Sequence, residues 1–420
     1  MLAVSSAIID GLCTPQPGFS LLRLVARRCH KAPMKPLEGI TVVSLEHAVA
    51  APFATRHLAD QGARVIKVER PGGGDFARRY DTRARGLSSH FVWCNRGKES
   101  LTLDTKAAPE VLERLVAQAD VVVQNLAPGA AARMGLSWDV LHAKHPGLIL
   151  CEISGYGIGG PYATRKAYDL LIEAEAGFLS ITGTPDEPAK AGIAIADIAA
   201  GMYAYSGVMA ALIKRGRTGE GTHLDVSMLE ALTEWTGHPL YYTTDGAPPL
   251  PRTGAFHAAI LPYGPFEASD GEVILLGVQN EREWQSFCSL VIEREDMGAD
   301  PRYLSMSERT ALREEVEPMI AGALKKLTGS EMRARLEEAR IGYATLNDMA
   351  AVWDHPQLKA RSRWGEMATP VGPMPALALP GQPLGEFGTV PELGRHSDAI
   401  LGELGYSEAE IAAFRQAGCI

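Results

Sequence analysis

An aspartate and a glycine-rich loop are the features of this sequence best suited to chemistry. Asp197 follows the apolar run 192–196 and precedes a run of small residues, 198–211, that is typical of a helix. Upstream lies a glycine-dense loop at residues 155–160. Glycines let a backbone approach a ligand closely, and a helix start offers free N–H groups and the positive end of a dipole to anions. A carboxylate there is expected to stay ionised and to be available as a nucleophile.

A structural role for Asp197 fits the same position. Aspartate is among the best residues for a helix N-cap, which contributes about 1 kcal/mol to stability. Such caps are common at helix starts. Position alone therefore leaves two interpretations of Asp197 open, a cap of the following helix or a reactive carboxylate.

Three segments around Asp197 resemble a known family. SGYGIGGPY (154–162), KAYDLLIEAEAG (166–177) and PAKAGIAIADIAAGMYA (188–204) are similar to the central signature of the class III CoA-transferases, the formyl-CoA transferase and carnitine CoA-transferase family. In that family the nucleophile is an aspartate followed by a few small residues and a glycine. The resemblance implies that Asp197, with Gly201 and Met202 behind it, is this nucleophile. It would move CoA between two carboxylic acids through a covalent aspartyl intermediate.

Other residues near Asp197 in the sequence are candidate partners for the reacting thioester. Gly155 and Gly157 would donate backbone N–H groups to the oxyanions of the reaction, each well-placed donor being worth about 3 kcal/mol; alternatively, they only form a tight turn. Tyr168 would donate to the thioester or position the substrate. A coenzyme A thioester is expected as co-substrate, with no tightly bound cofactor.

Several residues along the chain are expected to hold CoA. VIKVERPGGGD (65–75) resembles the family's N-terminal signature, in which the arginine after the acidic residue contacts CoA, here Arg70. This loop lacks the GxGxxG spacing of a dinucleotide site. The likeness continues through residues 94–104 and 124–141. The candidates are Arg70, Lys98, Leu103, Lys106, Asn125, Arg133, Lys166 and Met228, although the basic ones taken singly also suit a solvated surface.

Cations near predicted strand ends and near the start of the predicted small domain are candidates for binding the substrate acid. A free dicarboxylate needs a cation for its distal end, preferably a bidentate arginine. The assembly is similar to the dicarboxylate branch of the family, in which succinyl-CoA donates to acids of four to six carbons. Itaconate is the expected acceptor, with mesaconate, malate and glutarate as alternatives. The four-glycine lid of formyl-CoA transferases is replaced by RTGAFHAAILPYGPF (252–266), so formate–oxalate exchange is not expected. The candidates are His47, Arg79, Arg83, Arg252 and His257.

Alternating strand and helix patterns predict an α/β fold. Short β-branched or apolar runs at residues 40–45, 63–69, 121–125 and 148–153 predict strands, and helices are predicted at 51–61 and 109–118. Such units form a parallel sheet covered on both faces, and ligands bind at the carboxyl ends of its strands. A hairpin turning at Asp270 and Gly271 is followed by helices near 281–293 and 307–327, and a short helix pair lies within 393–411.

The domain scheme combines these patterns with the resemblance. Residues 1–35 are an extension, 36–235 the first segment of a Rossmann-like large domain, 236–340 a linker and smaller α+β domain, and 341–420 the second large-domain segment. The family resemblance implies an interlocked homodimer. No property of the sequence itself indicates one.

Composition restricts the other possibilities. The chain has 420 residues, 46% of them hydrophobic, and a net charge of −9, with no basic run to bind nucleic acid. Its six cysteines are scattered without CxxC pairs or histidine clusters, which indicates reduced thiols and no metal site. No apolar run of about 18 residues is evident, so no membrane span is expected. The basic segment 1–33 is expected to be a disordered extension, the product of an upstream start codon or an organelle-targeting sequence. The protein is expected to be cytoplasmic if it is bacterial and mitochondrial if this segment is a targeting sequence.

Two other functions fit parts of the pattern. The α-methylacyl-CoA racemases share the family fold, but their base is a histidine where this chain has Tyr168, just before Asp169. A non-catalytic CoA-binding protein would keep the fold and use Asp197 only as a helix cap.

Overall fold

The computed structural model describes residues 34–420. Residues from Leu37 to Ile420 form one compact unit. The alternatives for residues 1–33, an extension or a targeting sequence, lie outside the described residues.

A six-stranded parallel sheet forms the centre of the molecule and confirms the predicted α/β class. Its strand order is β3-β2-β1-β4-β5-β6, with every neighbouring pair parallel. All six carboxyl ends therefore lie along one edge, and the connections diverge between β1 and β4, where open α/β sheets bind ligands. The strands are β1 (Thr41–Leu45), β2 (Arg64–Glu69), β3 (Lys98–Thr102), β4 (Val121–Gln124), β5 (Ile149–Ser154) and β6 (Thr222–Ser227).

Successive strand residues face opposite layers of helices. In β1, Val42 joins one apolar cluster and Val43 the other, and the neighbouring strands alternate in the same way. The first layer contains α1 (Ala50–Asp60), α6 (Asp169–Glu175), α7 (Ile195–Thr218) and α8 (Met228–Trp235). The second contains α3 (Pro109–Ala117), α4 (Ala130–Arg133), α5 (Trp138–Lys144), α17 (Ser397–Glu403) and α18 (Glu408–Gln416). Two shorter helices also belong to this part of the chain: α2 (Ser89–Asn95) precedes β3, and α9 (Gly237–Tyr242) follows α8.

Helix α7 is longer and more apolar than the sequence pattern indicated. By length and composition alone it would be able to cross a membrane. Its small residues pack instead on α1, α6 and the sheet, within the first apolar cluster. Burial between the sheet and other helices accounts for the small apolar residues on one face of α7, whereas Tyr203 and Ile213 remain exposed.

A second sheet forms a separate apolar cluster. Strands β7 (Tyr263–Glu267) and β8 (Val273–Gly277) form the predicted hairpin, and β9 (Gly342–Thr345) pairs with β8. The predicted boundary at residue 341 is thus misplaced, because β9 hydrogen-bonds within this sheet. The helices here are α10 (Glu281–Ser286), α11 (Glu295–Ala299), α12 (Met306–Ala311), α13 (Arg313–Leu324) and α14 (Gly329–Glu338). Helix α10 continues directly into a π-helical turn, Phe287–Val291, as one segment, whereas the predicted helix near 307–327 is divided into α12 and α13.

The C-terminal segment returns to the parallel sheet. After α15 (Met349–Trp353), α16 (Pro356–Ala360) and the antiparallel pair β10 (Trp364–Met367) and β11 (Met374–Leu377), the chain reaches β3. There the Thr102 N–H donates to Ser397 Oγ (3.0 Å) and the Gly394 N–H donates to Ser100 Oγ (2.9 Å). These bonds attach residues 394–397 to the edge strand of the large sheet.

Candidate active site

Asp197 lies inside helix α7 and not at its cap. The helix begins at Ile195, its N-cap position is Ala194, and Asp197 occupies the first turn without capping the helix. The predicted cap position is therefore wrong. The cap comes from another helix: Asp169 Oδ1 accepts the N–H groups of Ala196 (2.8 Å) and Asp197 (3.2 Å). Because Asp169 satisfies these donors, the Asp197 side chain is not needed for that purpose.

Helix α1 approaches α7 closely beside Asp197. Gly201 lies one turn after Asp197, and a Cβ atom on it would stand 2.7 Å from the Ala50 carbonyl oxygen and 3.0 Å from Phe53 Cδ1. Only glycine permits this distance between the helices. The backbone N–H of Ala50, the first residue of α1, then lies near enough to the Asp197 carboxylate to favour its ionised form. The carboxylate thus lies at the positive ends of two helices, α1 and α7.

The ionisation of Asp197 differs from the sequence-based expectation. Burial, followed by the negative charge of Asp169, raises the pKa of Asp197 to about 7, and the Ala50 N–H opposes this rise only in part. The side chain is half-buried, and no ion pair among residues 34–420 includes it. The expectation that Asp197 stays fully ionised is thus corrected, since the carboxyl group titrates near neutrality. Its ionised form is a more basic nucleophile than an ordinary carboxylate.

The loop between β1 and α1 sets the position of Ala50. Ala48 has a φ of +63°, which is unusual for a residue with a side chain. The loop is fixed from β4, because the His47 N–H donates to Asn125 Oδ1 (2.8 Å) and Asn125 Nδ2 donates to the His47 carbonyl (2.9 Å). The Ala48 N–H donates to Asp75 Oδ1 (3.2 Å). Asn125, predicted to contact CoA, therefore joins the ends of the two central strands.

A buried set of charges lies beneath this loop. Lys98 Nζ is 2.6 Å from Glu46 Oε1, and Lys67 Nζ is 2.8 Å from Asp75 Oδ2 and 3.3 Å from Glu46 Oε1, with all four side chains fully buried. Lys98 also donates to the Pro52 carbonyl and to Asn95 Oδ1. The prediction that Lys98 contacts CoA is wrong, because the side chain is enclosed and its donors are occupied. Burial lowers the pKa of Lys98 to about 8 despite Glu46.

The remaining CoA candidates divide into exposed cations and buried apolar residues. Arg70, Lys106 and Arg133 are exposed and follow β2, β3 and β4, beyond the carboxyl ends of these strands. Lys166 is exposed between the glycine-rich loop and α6. The side chains of Leu103 and Met228 are buried in the two apolar clusters, so they do not reach a ligand from there.

The glycine-rich loop has the contacts of a tight turn. Gly157 has a φ of +85°, and its N–H donates to Ser154 Oγ (2.9 Å). A Cβ on Gly155 would lie 2.1 Å from the Ala167 side chain, so glycine permits a close chain contact there. In this structure the turn alternative accounts for both glycines. The predicted N–H donation from Gly157 would first have to break the bond to Ser154.

Aromatic side chains lie beside the aspartate. Tyr168 is largely exposed and directly precedes α6. Tyr80, which was not among the predicted site residues, lies near Asp197, and its pKa is raised to about 12 by burial and by the negative charges of Asp75 and Asp197. Phe76 stacks on His47, with 5.1 Å between ring centroids, and contacts Tyr80 at 5.8 Å. Phe76 and Tyr80 are both exposed although they are aromatic. Two aromatic residues close together after the glycine turn 72–74 are the sequence signal that would have indicated an aromatic surface beside Asp197.

The five substrate candidates fall into two groups. His47 lies against Phe76 with its Nδ1 3.8 Å from Asp75 Oδ1, and Arg79, on the same turn as Phe76, is exposed and donates to the Gly73 carbonyl. Arg83 is exposed nearby in sequence. Arg252 donates to the carbonyls of Thr184 (2.9 Å) and Pro185 (2.8 Å), and His257 stacks on Tyr263. Neither Arg252 nor His257 hydrogen-bonds to Asp197 or His47 among the described residues.

Comparison with known proteins decides the family. Residues 37–397 match the family model described as CoA-transferase family III. The chain belongs to CoA-transferase family III. Its class of reaction is CoA transfer, and its co-substrate is a CoA thioester.

Individual relatives of this CoA-transferase support the same class. It is 35% identical to the succinate–glutarate CoA-transferase of Agrobacterium fabrum, over 88% of this chain and 96% of that protein. It is 32% identical to the succinyl-CoA:mesaconate CoA-transferase of Haloarcula hispanica, over 89% of this chain and 97% of that protein. The crystal structure of a CaiB/BaiF family protein from Brucella suis matches this chain with a TM-score of 0.75 and 33% sequence identity. The match covers 88% of this chain and 99% of that protein. These relatives extend over nearly the whole described chain.

Proposed function

We propose that this CoA-transferase moves CoA from succinyl-CoA to a dicarboxylic acid of four to six carbons, through covalent bonds to Asp197. The observation that carries the proposal is the position of Asp197. Its carboxylate is free of a capping role, lies near the backbone N–H of Ala50 and has no ion-pair partner among residues 34–420. Such a group is available to react with an acyl carbonyl.

Two pairs of acyl transfers account for the exchange. The Asp197 carboxylate attacks the succinyl carbonyl, forming a mixed anhydride as the CoA thiolate leaves. The thiolate then attacks the aspartyl carbonyl, which releases succinate and leaves an aspartyl-CoA thioester. The acceptor carboxylate attacks this thioester and forms a second anhydride as the CoA thiolate leaves again. The thiolate then returns and attacks the acceptor carbonyl. This last step yields the new thioester and restores Asp197.

The exposed cations are proposed to bind CoA. Arg70, Lys106 and Arg133 extend beyond the carboxyl ends of adjacent strands, and Lys166 adjoins the glycine-rich loop. Phosphate groups of CoA would bind to this edge, where parallel α/β sheets usually take their ligands. The chain as a whole is acidic, so such a local concentration of positive charge is required to attract an anionic thioester.

The distal carboxylate of the acceptor is proposed to bind near the Phe76–Arg79 turn. His47 and Arg79 are the candidate cations closest to the aromatic residues beside Asp197. An arginine can bind a carboxylate with two hydrogen bonds. The names of the relatives make glutarate and mesaconate the first acceptors to compare with itaconate.

We also propose that the protein is a homodimer, as the family resemblance implies. The short helix α9 exposes Leu240 (57%), Tyr241 (80%) and Tyr242 (45%) in succession. Large apolar side chains exposed in this way on a single chain are suited to cover by another chain.

A panel of acids tests the proposed function. Purified protein, succinyl-CoA and one acid at a time from glutarate, mesaconate, itaconate, malate and oxalate are incubated, and the thioesters are identified by mass spectrometry. We expect the CoA ester of at least one acid of four to six carbons, formed with equimolar succinate and without net hydrolysis. A panel that yields no exchanged thioester would reject the proposal. Uptake of deuterium at the α-carbon of 2-methylacyl-CoA would instead support a racemase.

A further inference from the structure

A second acid lies behind Asp169, away from solvent. Glu173 is on α6, one turn after Asp169, and its side chain is fully buried. Its Oε2 accepts the N–H of Ala191 (2.9 Å), while its Oε1 has no donor among residues 34–420. A buried acceptor without a donor is costly, so this oxygen requires an explanation.

The carboxyl group of Asp169 supplies the explanation. Asp169 and Glu173 are four residues apart on α6 and so share one face of the helix, and hydrogen bonding with Asp169 is among the causes that raise the pKa of Glu173. Two ionised carboxylates are both acceptors, so this contact is favourable only if one of them carries a proton. One proton between them turns an unsatisfied and repulsive contact into a hydrogen bond.

The surroundings decide which acid keeps the proton. Asp169 is the first residue of α6 and accepts two N–H groups at the start of α7, and both features favour its ionised form. Glu173 is buried, and its acidic neighbour is Asp169 on the same helix. The other acid of this region, Asp197 on α7, is the acidic neighbour of Asp169. The exposed Lys190 is the nearest influence of opposite sign, and it donates to the Ala191 carbonyl. Burial and then Asp169 raise the pKa of Glu173, in agreement with a protonated side chain.

We propose that Glu173 is a positioning residue that holds its proton and donates it in a hydrogen bond to Asp169, fixing the carboxylate that caps the nucleophile helix. Glu173 touches neither substrate nor the reacting atoms. It acts through Asp169, whose Oδ1 orients the first turn of α7 and therefore the Asp197 carboxylate. The catalytic part of this inference rests on the proposed function, whereas the protonation of Glu173 does not.

Ionisation of Glu173 would change its interaction with Asp169. The hydrogen bond would be replaced by repulsion between two carboxylates, which loosens the cap of α7 and the position of Asp197. Transfer by the wild-type protein should therefore fall at high pH, in addition to the loss below about pH 7 where Asp197 becomes protonated.

Glutamine at position 173 tests the inference without relying on activity. Because folding raises the pKa of Glu173, the folded state retains its proton above the pH at which the unfolded chain releases it, so stability falls as pH rises through that interval. The E173Q variant keeps a neutral donor and has no such loss. We expect Tm of E173Q minus Tm of wild type to grow by about 2 °C or more between pH 5 and pH 8. The matched control is E175Q, which makes the same substitution on the exposed side of α6, where Glu175 lies 3.7 Å from Arg165, and which should not reproduce the trend.

The pH dependence of transfer then tests the positioning role. We expect E173Q to keep kcat within about twofold of wild type at pH 7 and to lose the decline at high pH, whereas E173L lowers kcat about tenfold by removing the donor. A Tm difference that does not change with pH, or an E173Q variant as impaired as E173L, would overturn the inference. If no acid of the panel is a substrate, the proposed function fails, and the comparison of Tm values still decides the state of Glu173.

Discussion

Replacing Asp197 by alanine is expected to lower kcat for CoA transfer by about a thousandfold or more, since no other group would form the covalent intermediate. Binding of CoA should persist, because the candidate phosphate contacts lie at the ends of β2, β3 and β4, outside α7. Steady-state kinetics with succinyl-CoA and the best acceptor measures the first effect, and calorimetric titration with CoA measures the second. Turnover within tenfold of wild type would show that Asp197 is not the nucleophile.

The control for this experiment separates catalysis from helix stability. An N-cap removed from α7 would cost about 1 kcal/mol. Asp197 caps nothing, and its raised pKa means that folding disfavours the charged form, so D197N should unfold at the same temperature as wild type or higher near pH 8. A clear loss of stability in D197N with normal turnover would instead support the cap interpretation.

The largest effect on stability is expected at Glu46. This carboxylate pairs with two buried lysines, Lys98 at 2.6 Å and Lys67 at 3.3 Å, and accepts the Thr55 hydroxyl at 2.6 Å. Burial alone would raise the pKa of Glu46, but the two lysines outweigh burial and lower it. The variant E46A leaves uncompensated charge in the interior and should lower the free energy of unfolding by about 3–5 kcal/mol.

Chemical denaturation at neutral pH measures this difference. The matched control is E113A, which breaks a pair of similar length with Lys144 (2.6 Å) in which both side chains are more than half exposed. That change should cost no more than about 1 kcal/mol. If E46A and E113A have similar effects, the buried charges do not support the loop before α1 as described.

The parallel sheet was predictable because each buried strand leaves a strong local pattern. Runs such as TVVSL in β1 are apolar on both faces and are separated by helices with one apolar side. The hairpin of β7 and β8 was equally local, since Asp270 and Gly271 mark its turn. The membership of β9 in the same sheet was not predictable, since its pairing with β8 joins residues about 70 positions apart in a four-residue strand.

The sequence predicted the part of the site that depends on a single residue, and it did not predict the contacts between residues that are distant in the chain. Asp197 was found through the family resemblance and its place before a small-residue helix. The alternative that Asp197 caps α7 was wrong, because the true cap, Asp169, is 27 residues from the first N–H that it accepts. Lys98 was taken as a ligand contact because a sequence does not show whether a lysine in a strand faces solvent or a buried glutamate. Both errors concern pairings between distant parts of the chain.

The most direct test of the account is chemical trapping of the intermediate on Asp197. Protein incubated with succinyl-CoA and hydroxylamine, without an acceptor acid, is digested and its peptides are sequenced by mass spectrometry. Hydroxylamine cleaves an aspartyl-CoA thioester to a hydroxamate, so we expect loss of activity together with a hydroxamate on Asp197, and neither without succinyl-CoA. Modification of another carboxylate such as Asp169, or transfer that continues undisturbed with Asp197 unmodified, would contradict the central claim.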